Sequence, residues 1–385
     1  MAATNRNIPE DLVMDILACV PVKSLLRFRC VSKPWCDLIG NPDFITKQYL
    51  KQTIMNKSKG NVFVTHSNIS ESLNCETMIS SLKIDEKDRL TVRETMIIPS
   101  HERFCLYLLI CGPRNGIICL YVMEPDADDL ALWNPATREF KTIPSSKLEP
   151  PDTDRHETVF GNIGFGFDHR TNDYNVVRFV TYTYNGYNGT VEQVELFSLN
   201  SNSWRVLPAV DVSPWFNTCN TYKDGVYYWW AGKRSDGSQW ILSFDMADKV
   251  FEKVPLPSEF GIVRQSVFSF FDGKLSLVLY SDDDNDMGKC FDVWVMTKHG
   301  VKESWVKQMR IGPILGIEKP LEYWKNGGLF LEDDEGFLVL YDACTREVKK
   351  LQICGEEYRS TLQVMNYEES LVPINGVQIQ QQYRT

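Results

Sequence analysis

The chain is poor in the features that mark an enzyme, a membrane protein or a secreted protein. Its 385 residues include only five histidines (His66, His101, His156, His169 and His299), set far apart. There is no G-x-S-x-G elbow, no P-loop and no spacing suited to a metal, so no catalytic set is visible and no cofactor is expected. Side chains scattered along a repeated fold still converge at its axis, so this absence weakens a catalytic reading without removing it. No apolar run reaches the roughly 20 residues that cross a bilayer. Met1 to Asn7 lack the basic start and apolar stretch of a signal peptide, so a cytoplasmic or also nuclear location is expected, with no membrane contact. The 11 cysteines are scattered, odd in number and without a C-x-x-C pair, which argues against a disulfide framework or a zinc site. They read as reduced, mostly buried thiols. The sequons at Asn56, Asn68 and Asn188 then never meet the glycosylation machinery. An excess of positive charge is also missing: at a net charge of −10, the chain disfavours nucleic acid, whose phosphates it repels.

What is present begins at the N-terminus. Residues 8–46 place 21 apolar side chains in 39 positions, more than a few short helices can hide among themselves. Pro9 suits a first helical position, and Leu12, Val13, Ile16, Leu17 and Val20 follow at helical spacing. Pro21 stops that helix. Leu25, Leu26, Phe28 and Val31 make a second, and Ser32 reads as the N-cap of a third carrying Trp35, Leu38 and Ile39. Asn41-Pro42 repeats the start signal. A module of about 40 residues buries too little surface to stand alone, so it is expected to lean on another surface.

Past a polar stretch at residues 50–60 the pattern changes to short β-rich runs. Residues 217–257 read as four strands. The first ends at the Lys223-Asp224-Gly225 turn; Val226–Ala231, Trp240–Phe244 and Val250–Val254 follow, with Pro255 closing the unit. Matching units occur at 130–144, 194–208, 291–309 and 338–353. Their fourth-strand anchors Phe140, Trp204, Phe251, Trp305 and Val348 recur at the interval of one propeller blade per repeat. Large side chains at one place in each unit are expected to fill the gaps between blades. Residues 61–98 supply most of a further blade, and 361–374 could return to pair with it and close the ring. The predicted fold class is α+β and multidomain, with a small helical module (residues 6–50), a linker (51–60), an all-β propeller of six blades (61–375) and a tail (376–385). A two-sheet sandwich is the competing fold.

Ile8-Pro9-Glu10-Asp11-Leu12, Ile16-Leu17, Val20 through Phe28 and Val31-Ser32-Lys33-Pro34-Trp35 resemble an F-box, the helical module by which substrate receptors dock on the Skp-family adaptor of a cullin-based ubiquitin ligase. Ile8 departs from the family's usual Leu by a swap close in volume. The resemblance implies that Pro9, Leu12, Ile16, Leu17, Leu25, Leu26, Val31 and Trp35 form or support the adaptor surface, some of them as internal packing. The remainder resembles the F-box-associated, kelch-like domain of plant F-box proteins, and more narrowly the S-locus F-box and S-locus-F-box-like group. The residues that carry this are 132–144, 164–179, 293–307 and 340–351. Members of that group act in pollen self-incompatibility and direct pistil ribonucleases to ubiquitination. The glycine-glycine signature of ordinary kelch repeats is missing apart from Gly327-Gly328. The function implied is that of a non-catalytic receptor subunit, with a non-degradative scaffold or ligand-binding protein as the alternative.

Blade topology adds a charge argument. Loops joining second and third strands all emerge on one face, and here they are 124–129, 184–190, 232–238, 281–288 and 332–335. They carry Asp126, Asp128, Asp129, Asp282, Asp283, Asp284, Asp286, Glu332, Asp333 and Asp334, with Tyr184, Tyr187 and Trp215 nearby as apolar anchors. Residues 1–50 hold six Lys/Arg against five acids, so the rest of the chain carries −11. An acidic rim that attracts a basic protein target is expected, against the plain alternative that Asp-rich loops are soluble turns. Asp282, Asp284 and Asp286 alternate as in a calcium loop, but Met287 and Val293 stand where an EF-hand needs Gly and Glu, so no metal is expected.

Overall fold

The computed structural model describes residues 9–56, 61–69, 75–84, 90–99, 108–122, 129–149, 156–184, 189–215, 221–233, 236–257, 265–280, 288–324, 327–355 and 362–374. Four helices come first: α1 (Glu10–Ala18), α2 (Val22–Phe28), α3 (Lys33–Gly40) and α4 (Pro42–Asn56). Pro9 and Pro21 sit just ahead of α1 and α2, one position before a first helical residue. Their carbonyls accept the first free N–H groups, from Leu12 at 3.0 Å and Ser24 at 3.0 Å. The Ser32 hydroxyl accepts from Trp35 N at 3.4 Å and the Asn41 side chain from Asp43 N at 2.8 Å, so both caps read from the sequence are made. The linker expected over 51–60 begins instead as helix, since α4 runs to Asn56. The polar residues there are in use: Gln52 Nε2 donates to the carbonyls of Ala18 and Val20, both at 3.4 Å, and the Thr53 hydroxyl donates to Glu368.

Among the described residues, twenty-five strands follow in six antiparallel sheets, each a blade. The first holds β1 (Asn61–Ile69), β2 (Cys75–Ile84) and β3 (Leu90–Ile97), and the second β4 (Leu108–Arg114), β5 (Ile117–Val122), β6 (Leu130–Asn134) and β7 (Glu139–Thr142). The third holds β8 (His156–Asp168), β9 (Asp173–Tyr184), β10 (Gly189–Ser198) and β11 (Ser203–Leu207). In the fourth, the innermost strand is split into β12 (Ser213–Pro214) and β13 (Thr221–Lys223), ahead of β14 (Val226–Gly232), β15 (Gln239–Asp245) and β16 (Val250–Val254). The fifth runs β17 (Gln265–Phe271), β18 (Lys274–Tyr280), β19 (Lys289–Met296), β20 (Trp305–Ile314), and the sixth β21 (Ile317–Tyr323), β22 (Leu329–Asp333), β23 (Phe337–Tyr341), β24 (Val348–Cys354). The last strand, β25 (Gln363–Asn366), pairs with β1 and completes the first blade from the other end of the chain. Neighbouring blades touch chiefly through β25, β4, β8, β17 and β21, which makes β25 the inner strand of blade one and the first strands the inner strands of the others.

Local chemistry explains the units. Asn115-Gly116, Asp224-Gly225 and Asp272-Gly273 each take positive φ at both positions, the geometry of a two-residue hairpin turn between first and second strands. Between third and fourth strands, Asn134, Asp245 and Asp342 each accept from the backbone N–H groups two and three residues on, at 2.7 to 3.3 Å. The fourth-strand aromatics join blades. Trp204 Nε1 donates to Pro144 O at 2.7 Å and Trp305 Nε1 to Pro255 O at 2.8 Å, so each indole reaches the proline that ends the preceding blade. Val348 differs from the other anchors in being exposed. Between blades two and three, Arg178 and Glu195 form a buried ion pair at 2.6 Å, with the guanidinium over the Trp204 ring. Paired residues on adjacent strands put the two charges opposite each other, and the indole removes them from water.

The ring closes through one asparagine as well as through β25. Asn134 is fully buried; its Nδ2 donates to Ser370 O at 3.1 Å and Val372 O at 2.8 Å, while its Oδ1 organises its own turn. Asn134→Ala should therefore lower the unfolding free energy by about 3 kcal/mol, because two carbonyls and a turn lose their partner in a dry site. Chemical denaturation of the two proteins measures this.

Candidate functional site

The helical module does not stand apart from the ring. Leu17, Ala18, Val22, Leu25, Ile39, Phe44 and Ile45 belong to one apolar cluster with Cys111, Ile117, Tyr121, Leu371 and Val372 of the propeller. Lys23 of α2 lies 3.5 Å from Glu94 on β3, and Thr53 of α4 meets Glu368 just past β25. Ala136 of the 135–138 turn, between third and fourth strands, packs against that cluster, and the segment at 368–370 that α4 meets closes on Gly116, in a turn between first and second strands. The module thus covers the face where those turns emerge.

The expected adaptor residues separate into three groups. Leu17 and Leu25 are buried in the shared cluster, so neither reaches a partner directly: their side chains point along the inner faces of α1 and α2 and support the module from within. Leu26 and Trp35 are partly buried, and Trp35 packs edge-on against Phe28 at 5.4 Å. Pro9, Leu12, Ile16 and Val31 lie outside, and the last three are 50%, 53% and 66% exposed. Leu12 and Ile16 stand one turn apart on α1. Exposed Leu50, Ile54 and Met55 on α4 extend the apolar surface, and Lys47 ties α4 to Asp15 of α1 at 3.1 Å. The sequence reading missed these three because their polar neighbours Lys51, Gln52 and Thr53 made the stretch look like a linker, although Leu50 and Ile54 keep the one-turn spacing.

The opposite face carries the loops between second and third strands. Asp126, Asp128, Tyr187, Asp282, Asp283, Asp284 and Asp286 lie outside the described residues; Tyr184 ends β9, and nothing is assigned to its side chain. Asp129 is half-buried and Asp334 exposed. Glu332 and Asp333 correct the expectation of a four-carboxylate loop at 332–335. Both belong to β22 and are buried. Glu332 pairs with Lys319 at 3.4 Å and Asp333 with Lys350 at 2.8 Å, and Asp333 Oδ1 also accepts from Phe337 N at 2.7 Å. These carboxylates hold blade six together and leave only Asp334 and Glu335 at the tip. Blade three follows blade two closely, since β7 ends at Thr142 and β8 starts at His156. Trp215, 42% exposed, packs over Gly232, where a Cβ would lie 2.6 Å from the indole nitrogen. Leu315, 70% exposed, sits between β20 and β21, beside the turn that holds Asp334.

The groups near the axis suit packing. Burial pushes the Cys111 thiol up to about 11, against opposing pulls from the Tyr227 hydroxyl and Arg114, and it raises Cys119 well above the ordinary thiol value. Both thiols are neutral hydrophobes at physiological pH. Burial also lowers His66, which bonds Ser80 at 2.8 Å within the first blade. Among the described residues, no cluster of His, Cys, Asp or Glu could hold a metal, and no helix is long and apolar enough to cross a membrane.

A helical module with exposed apolar side chains, fixed to one face of a six-bladed ring, is built as a docking module on a propeller. The comparisons name its class. The F-box domain model matches residues 6–47 and the F-box associated beta propeller domain model matches residues 62–375. The chain belongs to the F-box proteins that carry this propeller domain. It is similar to F-box protein CPR1 of Arabidopsis thaliana, 27% identical over 93% of this chain and 87% of that one. It is 29% identical to an F-box/kelch-repeat protein of the same plant, over 87% of this chain and 88% of the other. Among solved structures, the Dos1 propeller aligns at 10% identity and a TM-score of 0.34 over 75% of each chain. The two domains, and relatives that are F-box proteins, support a substrate-recognition role in a Skp–cullin–F-box ubiquitin ligase.

Leu12→Asp and Leu17→Asp separate the outer strip from the inner face. Leu12→Asp should leave the melting temperature within a few degrees of wild type but weaken adaptor binding by about 3 kcal/mol, because it buries an unpaired charge at the interface. Leu17→Asp should destabilise the chain itself by a similar amount, as should Leu25→Asp, which cannot serve as a clean probe of the adaptor surface. Calorimetric melting and adaptor titration distinguish the two effects.

Proposed function

We propose that this chain is the receptor subunit that grips the adaptor through Pro9, Leu12, Ile16 and Val31 and holds a basic protein target on the propeller face remote from the F-box. The observation that carries the reading is the seating of the F-box on the face of first-to-second and third-to-fourth strand turns. The described ends of the second-to-third strand connections, with Asp129, Asp236 and the 334–336 turn, are thereby left on the other side of the ring. The carboxylates in the sequence of those connections support a negative sign for that side, and Trp215 and Leu315 give it apolar contact area. Charge of one sign speeds encounter with an oppositely charged partner, and a few buried aromatic or aliphatic side chains supply most of the affinity.

No bond-making step is assigned to the chain. It brings the target and a ubiquitin-charged partner enzyme into one complex, and the gain is one of proximity. A pistil ribonuclease is one member of the class of basic targets; the acidic face supports the charge of such a target and no finer identity.

The deciding experiment is reconstituted ubiquitination of a partner co-purified with the full chain, adaptor and cullin. Transfer that depends on Leu12 supports the receptor; a stably held partner that is never modified favours a scaffold. Within that assay Trp215→Ala should weaken target binding by about 2 kcal/mol, roughly thirtyfold. Neutralising Asp282, Asp283, Asp284 and Asp286 together should slow association and flatten its dependence on salt. Stopped-flow rates at low and high ionic strength read this out, and equal salt slopes would remove the acidic face from the reading.

A further inference from the structure

Between the F-box and the ring lies a cavity of about 240 Å³, the share of roughly eight waters in the liquid. Its walls come from α2, blade one, the 135–138 turn of blade two and the segment after β25, so it spans the junction of the F-box with two blades. The apolar part consists of Leu26, Phe63, Met96, Pro135, Ala136 and Tyr367. Phe63 and Tyr367 stack with ring centroids 3.8 Å apart and planes 14° apart, which presents a flat aromatic edge to the space.

Its charges are unevenly committed. Glu94 pairs with Lys23 at 3.5 Å and Glu369 with Arg93 at 3.6 Å, so both carboxylates on the wall already face a cation. Arg138, also on the wall, has no ion pair among the described residues. It is exposed and held at φ +64, which turns the backbone at the third-to-fourth strand corner and sets the residue at the mouth of the cavity. One uncommitted guanidinium beside an aromatic and aliphatic wall matches a monoanion with a flat apolar body. A cation would meet carboxylates already neutralised, and a dianion would lack a second free partner.

We propose that this cavity binds a small aromatic carboxylate, its ring against Phe63, Met96, Leu26 and Tyr367 and its carboxylate on Arg138. Such a ligand touches the F-box and two blades at once, so its occupancy strengthens the seating of the F-box on the ring. The site is separate from both docking surfaces: it faces neither the Leu12–Ile16 strip nor the acidic loops.

The test uses the full chain bound to its adaptor, titrated calorimetrically with 1-naphthoate and with uncharged 1-naphthamide. One saturable site is expected for 1-naphthoate, with 1-naphthamide binding about tenfold more weakly through loss of one charge-assisted hydrogen bond. Arg138→Asn, which suits the same positive φ, should reproduce that tenfold loss for 1-naphthoate, and Ala136→Leu should fill the space and abolish binding. Melting curves for both variants show whether they fold, and Arg138→Asn at the exposed rim serves if Ala136→Leu does not. Absence of saturable 1-naphthoate binding up to millimolar concentration, or equal affinity in wild type and Arg138→Asn, overturns the proposal.

Discussion

Burial of the inner faces of α1, α2 and α4 against blades two and three is the contact from which the other placements follow. Leu17, Val22, Leu25, Phe44 and Ile45 share one core with Cys111, Ile117, Tyr121 and Val372. Each large side chain taken from water there contributes roughly 1.5–3 kcal/mol, which neither the small helical module nor the top of the ring could gain alone. Once these residues face the ring, geometry forces Leu12 and Ile16 to face away from it. The open strip that marks a docking module is thus the complement of an internal interface.

The same contact orders the two ends of the chain. The segment that follows β25 runs beneath the helices, where Asn134 holds Ser370 and Val372 and Gly116 leaves room for Ser370; a Cβ there would lie 2.5 Å from the serine Cβ. Ring closure and seating of the F-box are therefore coupled through residues 367–374. That coupling holds the helices in one orientation on the ring.

Much of this could be read in the residues. Strands β14 to β16 fall within a residue or so of the runs read between the Asp224-Gly225 turn and Pro255, Ser32 caps its helix, and the return of the C-terminal strand to β1 follows from an incomplete first unit. The fourth-strand tryptophans were legible as gap-fillers because a large side chain recurring at one place needs a recurring space. Three things were not legible. Leu17 and Leu25 carry the same helical spacing as Leu12 and Ile16, and periodicity gives a stripe without saying which edge of it a distant blade covers. Glu332 and Asp333 look like turn residues until Lys319 and Lys350, from β21 and β24, arrive beside them. The buried Arg178–Glu195 pair had no local signal at all, since its two charges sit in separate strands with ordinary alternation.

The sequence by itself determined the kind and order of elements: prolines and small polar caps start the helices, short β-rich runs and Asx or Gly turns make the blades, and both depend only on neighbours along the chain. The tertiary structure alone decided which apolar residues are left for a partner, which carboxylates are spent on internal pairs, and on which side of the ring the helices rest. Those outcomes depend on burial, and burial is set by segments hundreds of residues apart meeting in space.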